Sequence, residues 1–196
     1  MSQSPASLSS LRIEVREPGR RTGHSKHLVA SVAAPEGMST PVIGVPVGEP
    51  IDLDLMLQAV GEGILVTGTA VVPIAGECSR CLEPIEYDDE VDLTVLFAYP
   101  PTDARGRVIA REGDDDDDAD EQLWVDEDHI DLETPLRDAV VLGLPLAPLC
   151  EPDCPGLCSE CGVSLRAEPS HSHEAVDPRW QGLATLLPPV DSDPQG

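Results

Sequence analysis

Aromatic side chains are nearly missing from this chain: its 196 residues hold one Phe, two Trp and two Tyr. Any core must therefore be built mainly from Val, Leu, Ile and Ala, which leaves a cross-link more to contribute than it would in a larger core. Positive charge is scarce as well, with 12 Lys and Arg against 37 Asp and Glu and a formal net charge of −25. Binding to phosphates requires cations that displace counterions, so this composition argues against the chain wrapping nucleic acid by itself. A strongly acidic surface is attracted instead to a basic protein partner. Five of the cations, Arg12, Arg16, Arg20, Arg21 and Lys26, fall in the first 30 residues. Direct phosphate contact would start there, although a solvated basic arm is the simpler reading. No apolar run approaches the ~20 residues that span a bilayer, and Met1 to Ser10 lacks the apolar core of a signal peptide. No membrane association is expected, and the chain is expected in a reducing cytoplasm, where disulfides do not persist.

Recognisable catalytic patterns are missing too. There is no Gly-rich phosphate loop ending in Lys-Ser or Lys-Thr, and no Gly-x-Ser-x-Gly nucleophile turn. The His-x-Glu and Pro-Cys-x-x-Cys pair of a zinc deaminase is not found. A thiol-redox enzyme places Cys-x-x-Cys at a helix N-terminus in a βαβ setting, whereas Cys78-Ser79-Arg80-Cys81 lies between two strand-like runs. The chain is expected not to be an enzyme, with a thiol-redox or zinc-dependent regulatory protein as the alternative.

What the chain does have is six cysteines confined to two stretches: Cys78 and Cys81, then Cys150, Cys154, Cys158 and Cys161. Thiolates separated by two residues can face one ion, since a tight turn brings both sulfurs to the ~2.3 Å bond length of tetrahedral zinc. Two such pairs make a complete structural shell, so Cys78, Cys81, Cys158 and Cys161 are expected to hold one zinc ion. Gly162 follows the second pair, where the lack of a Cβ lets the backbone turn under the sulfur. Cys150 and Cys154 are then spare ligands, thiols hydrogen-bonded behind the site, or substitutes for one of the later pair. His171 and His173 lie in a Ser, Pro and Glu-rich stretch and are not expected to be ligands.

The hydrophobic pattern describes an α+β protein: an antiparallel sheet with one principal helix, zinc knuckles, and a disordered acidic loop and tails. Residues 1–29 read as a flexible basic N-terminal arm containing one alternating stretch, Leu11 to Val15. Residues 30–165 form the domain. Ile51, Leu53, Leu55 and Leu57 alternate with Asp52, Asp54 and Met56, Gly61-Glu62-Gly63 offers a turn, and Ile64 to Ile74 is the partner strand. Within that strand Gly68 marks a bulge or a close approach of backbone. A further strand runs from Ile85 to Tyr99. Residues 100–122, with Asp114 to Asp118, repel one another and read as a disordered loop rather than a cation site. Asp131 or Thr134 can cap a helix that has Pro135 in its first turn and stops before Pro145. Residues 166–196 read as a flexible tail with a short helix over 179–187.

The segment Cys78-Ser79-Arg80-Cys81-Leu82-Glu83-Pro84 resembles the Cys-x-Arg-Cys-Leu-x-Pro signature of the YceD-like family, the large ribosomal RNA subunit accumulation proteins. Further matches follow in order: Ile130-Asp131-Leu132 with Pro135-Leu136-Arg137, then Leu144 to Cys150, then Cys154-Pro155-Gly156-Leu157-Cys158 through Gly162, and Asp177-Pro178-Arg179-Trp180. The resemblance implies a non-enzymatic cytoplasmic role in synthesis, processing or stability of the large-subunit ribosomal RNA (rRNA), within ribosome biogenesis. Given the net charge, the expected route is through a basic ribosomal or ribosome-assembly protein, with direct rRNA contact through Arg12 to Lys26 and Arg80 as the second choice.

Overall fold

A computed structural model describes residues 6–8, 10–17, 22–102 and 122–173. Its main element is a six-stranded sheet assembled around β6 (Gly63–Glu77), one of its two longest strands. Along one edge β6 pairs antiparallel with β7 (Pro84–Ala98) for its full length, from Gly63↔Ala98 to Glu77↔Pro84. Along the other edge it pairs first with β5 (Pro50–Ala59) and then, past the end of β5, with the two-residue β4 (Ile43–Gly44). The sheet continues outward from β5 to β3 (Ser25–Ala33), antiparallel, and to β1 (Ala6–Leu8), which joins β3 in parallel. A small second sheet pairs β2 (Arg12–Glu14) with β8 (His129–Asp131).

Strict alternation gives this sheet two unlike faces. In β5 every odd residue from Ile51 to Ala59 is buried and every even one from Pro50 to Gln58 is exposed. The inner face adds Val32, Ile64, Val66, Val72, Leu93 and Phe97. It is covered by α1 (Glu133–Gly143), through Leu136 and Val140, by Leu11, and by Ile13 and Ile130 of the small sheet. Phe97 is the one aromatic side chain in this buried cluster, so aliphatic residues carry it. Among the described residues no helix is long and apolar enough to cross a membrane.

The α+β class with one principal helix is as expected. The β5–β6 turn falls at the expected glycines, where Val60 N–H donates to the Gly63 carbonyl at 2.9 Å. The helix begins at Glu133, whose N–H donates to Asp131 Oδ1 at 2.9 Å, with Pro135 in its first turn. The described residues among the first 29 depart from the expected arm. Leu11, Ile13 and Val15 are buried in the main core, β2 pairs with β8, and β3 begins at Ser25. The sequence signal was weak there because β3 is built largely from Ser, Ala and His, with Ala30 and Val32 as its buried positions. The Asp114 to Asp118 run and the 179–187 helix lie outside the described residues.

Gly68 is the close approach anticipated in β6. Its φ is +145°, and a Cβ there would sit 2.1 Å from the Asp54 carbonyl oxygen of β5. Backbone in that region costs a side chain on the order of 1–3 kcal/mol before any clash. Gly68→Ala should therefore lower the unfolding free energy by at least about 1–3 kcal/mol in urea titration, while Gly61→Ala, with open space around its Cβ, stays close to the parent. Equal stability of the two variants would contradict this packing.

Candidate metal centre

The β6–β7 hairpin ends in a six-residue turn, Cys78 to Glu83, whose geometry is set by the backbone. Cys78 N–H donates to the Glu83 carbonyl at 2.8 Å and Leu82 N–H returns to the Cys78 carbonyl at 2.9 Å. Closing that loop puts Leu82 at φ +60°, a left-handed conformation unusual for a bulky side chain. Cys78 and Cys81 face inward and are buried.

The thiols they meet are Cys150 and Cys154. Past α1 the chain passes the hairpin tip, and Ser79 N–H donates to the Pro148 carbonyl at 2.8 Å. A turn in which Cys154 N–H donates to the Glu151 carbonyl at 3.1 Å then brings Cys154 back, and Arg80 Nη1 donates to the Cys154 carbonyl at 2.9 Å. The result is a four-sulfur group with all Sγ atoms within 4.8 Å of one another. Cys78 Sγ stands 3.8 Å from Cys154 Sγ and Cys81 Sγ stands 3.6 Å from Cys150 Sγ. Around a tetrahedral ion with metal–sulfur bonds of ~2.3 Å, sulfurs are ~3.8 Å apart. The group thus has the dimensions of a metal shell and can hold an ion.

Its electrostatics agree. Burial pushes the Cys78 thiol up, but backbone N–H groups of Cys150, Cys81 and Arg80 donate toward its sulfur and bring it down to about 6. Cys81 is pulled down by the Glu83 N–H, yet burial and sharing hydrogen bonds with Cys78, Cys150 and Cys154 push it up to about 12. Burial likewise raises Cys154. Cys81 and Cys154 thus resist ionisation, and a cation among the sulfurs would favour their thiolates.

The expected set of Cys78, Cys81, Cys158 and Cys161 is not brought together. Cys158 and Cys161 converge instead with His171 and His173 in a second group, again within 4.8 Å. The physical reason is reach. Cys150 and Cys154 arrive first at the hairpin tip and fill its two open positions. Gly156, at φ +79° with its Cβ position 3.0 Å from the Arg80 carbonyl oxygen, then carries the chain across that turn. Leu157 N–H donates to the same carbonyl at 3.1 Å, so the later pair opens on another side. The available signal was the surplus: six thiols and two histidines divide into two groups of four, and the expectation of a single site left half of them unused.

Comparison with known proteins agrees with the motif. A family model described as large ribosomal RNA subunit accumulation protein YceD matches residues 66–187. The chain is 42% identical over 188 residues to an uncharacterized protein of Mycobacterium tuberculosis, covering 96% of this chain and 86% of that one. It is 38% identical over 190 residues to an uncharacterized protein of Mycobacterium leprae, covering 93% and 80%. It is also 31% identical over 129 residues to the chloroplastic large ribosomal RNA subunit accumulation protein YCED homolog 1 of Zea mays, covering 56% of this chain and 43% of that one. No solved structure matches. The hairpin, its two-cysteine turn and the cysteine-rich segment after the helix define a small α+β protein with paired Cys and His clusters. The chain belongs to the YceD family.

The regrouping is directly testable. Cys150→Ser and Cys154→Ser should each cost the chain the same bound ion, and a similar loss of thermal stability, as Cys78→Ser. Metal content and melting temperature of the purified variants measure this. A Cys150→Ser, Cys154→Ser double variant with the parent's metal content would contradict the four-sulfur group.

Proposed function

We propose that this chain is a non-catalytic cytoplasmic factor supporting accumulation of large-subunit rRNA, held together by a structural zinc ion at Cys78, Cys81, Cys150 and Cys154, and working through a basic protein partner. Membership of the YceD family carries the first part of this reading. Zinc is the ion that suits four thiolates in a closed tetrahedral shell. A shell filled by four protein ligands leaves no position for a substrate, which supports structure over chemistry. The same burial speaks against the thiol-redox alternative. Exchange needs an accessible thiolate, and Cys78 is 0% exposed.

The partner is argued from the outer face of the sheet. Asp52 and Asp54 of β5 lie in register, across Val71 and Thr69 of β6, with Glu90 and Asp92 of β7. Glu86 and Asp88 extend the acidic row along β7, and all six carboxylates are exposed. Met56, Val71 and Leu96, 37–39% exposed, lie on this face. Carboxylates flanking apolar side chains suit a basic protein surface that brings aliphatic groups of its own. They repel an RNA backbone. Such association forms fast and weakens with salt.

Two measurements test this reading. Deleting the gene should lower large-subunit rRNA relative to small-subunit rRNA, and an unchanged ratio would contradict the role. In mobility-shift titrations the isolated protein should leave large-subunit rRNA fragments unshifted and join the complex only when basic large-subunit proteins are added. Asp88→Lys, Glu90→Lys, Asp92→Lys together should abolish that joining while metal content stays the same. Tight, salt-sensitive RNA binding by the isolated chain would contradict the acidic-face route.

A further inference from the structure

The second cluster repeats the hairpin turn in miniature. Cys158 N–H donates to the Val163 carbonyl at 2.8 Å and Gly162 N–H to the Cys158 carbonyl at 2.8 Å, the bonds that Cys78, Glu83 and Leu82 make in the first turn. Gly162 takes, at φ +74°, the left-handed position that Leu82 fills at φ +60°. In both turns backbone N–H groups two and three residues on, from Glu160 and Cys161 here, donate toward the first sulfur. A turn of this form points two sulfurs at one spot and supplies amides to a thiolate.

The histidines complete it. His171 Nε2 lies 3.1 Å from Cys161 Sγ, His173 Nε2 lies 3.2 Å from the same sulfur, and the two Nε2 atoms are 2.8 Å apart. For zinc bonds of ~2.3 Å to sulfur and ~2.0–2.1 Å to nitrogen, a tetrahedral shell places the two nitrogens ~3.3 Å apart and each nitrogen ~3.6 Å from a sulfur, so a modest expansion admits an ion. The opposite ring nitrogens both face carboxylates: His171 Nδ1 is 3.7 Å from Glu168 Oε2, and His173 Nδ1 is 3.5 Å from Glu160 Oε2. Metal-binding imidazoles regularly direct their other ring N–H to a carboxylate, which fixes the tautomer and makes the ligating nitrogen more basic. Two histidines sharing that arrangement, with both Nε2 atoms aimed at one pair of sulfurs, is the pattern of a ligand set.

We propose that Cys158, Cys161, His171 and His173 bind a second zinc ion, separate from the first and more readily exchanged. The contrast in exchange follows from burial. Cys78, Cys81 and Cys154 are buried, whereas Cys161 and His173 are exposed, so a competing ligand can enter the second shell and not the first. The second ion fastens residues 158–173 into a loop against the first site. Within that loop Arg166 Nη2 donates to Cys150 Sγ at 3.1 Å and to Glu151 Oε1 at 2.6 Å. The inference rests on zinc being the resident ion at the four-cysteine group, and not on any role in rRNA accumulation.

Zinc per chain, measured by plasma mass spectrometry on the full-length reduced protein, should be two, and brief treatment with a chelator should leave one. His171→Ala, His173→Ala together should contain one, resistant to the same treatment. One zinc in the parent, kept in the histidine variant and lost in Cys78→Ser, overturns the second ion alone; no zinc in the parent overturns both sites. Cobalt substitution of the parent guards against misfolded variants. Absorption from a two-sulfur, two-nitrogen tetrahedral site beside a four-sulfur one is expected, and a four-sulfur spectrum alone overturns the proposal.

Discussion

The convergence of four thiols at the tip of the β6–β7 hairpin is the constraint on which the rest of this molecule depends. A 15-residue ladder fixes where that tip lies, and the tip fixes where the chain must pass after α1. Cys150 and Cys154 reach it because Pro148 is hydrogen-bonded to Ser79 and the Cys154 carbonyl to Arg80. Each sulfur is held by backbone geometry rather than by a flexible side chain. Burying several thiolates together is unfavourable unless a cation neutralises them, so an ion bound here would couple its own binding to the packing around Ile85 and Leu149. Metal binding at such a site is folding free energy, ~10 kcal/mol or more for structural zinc.

The aliphatic core and the sulfur cluster divide the work. Leu53, Leu55, Ile64, Val66, Leu136 and Val140 pack the sheet against the helix, far along the hairpin from its turn. At the turn itself the buried cluster is Cys78, Cys81 and Cys154 with Ile85, Leu149 and Cys150 beside them. A chain with one Phe has few large side chains to seal that end. The outer face of the sheet remains free of covering elements among the described residues, and its carboxylates contribute to the strong negative charge of the whole chain. Under the proposed function, fold stability and partner recognition fall on opposite faces of one sheet.

Much of this was legible from residue patterns and some of it was not. Period-two alternation in β5, β6 and β7 and the Asp131, Pro135 and Pro145 signals located the sheet and helix because each acts locally. β3 is obscure since a strand rich in small and polar residues has little contrast between its faces, while β2 falls within the alternating Leu11 to Val15 stretch but, at three residues, is too short to announce its partner. The grouping of the six thiols is hard to read from sequence for a related reason. Spacing of two residues singles out Cys158 and Cys161, but which distant pair completes a shell is decided by tertiary reach. Cys150 and Cys154, spaced by three, are delivered to the hairpin by the exit from α1. Composition argues against His171 and His173 as ligands, and their shared approach to Cys161 is a purely tertiary feature.

Anomalous diffraction at the zinc absorption edge, from crystals of the full chain, tests the central claim most directly. A peak should appear at ~2.3 Å from the sulfurs of Cys78, Cys81, Cys150 and Cys154 alike. A peak shared by Cys78, Cys81, Cys158 and Cys161, or no peak at the hairpin tip, would contradict it.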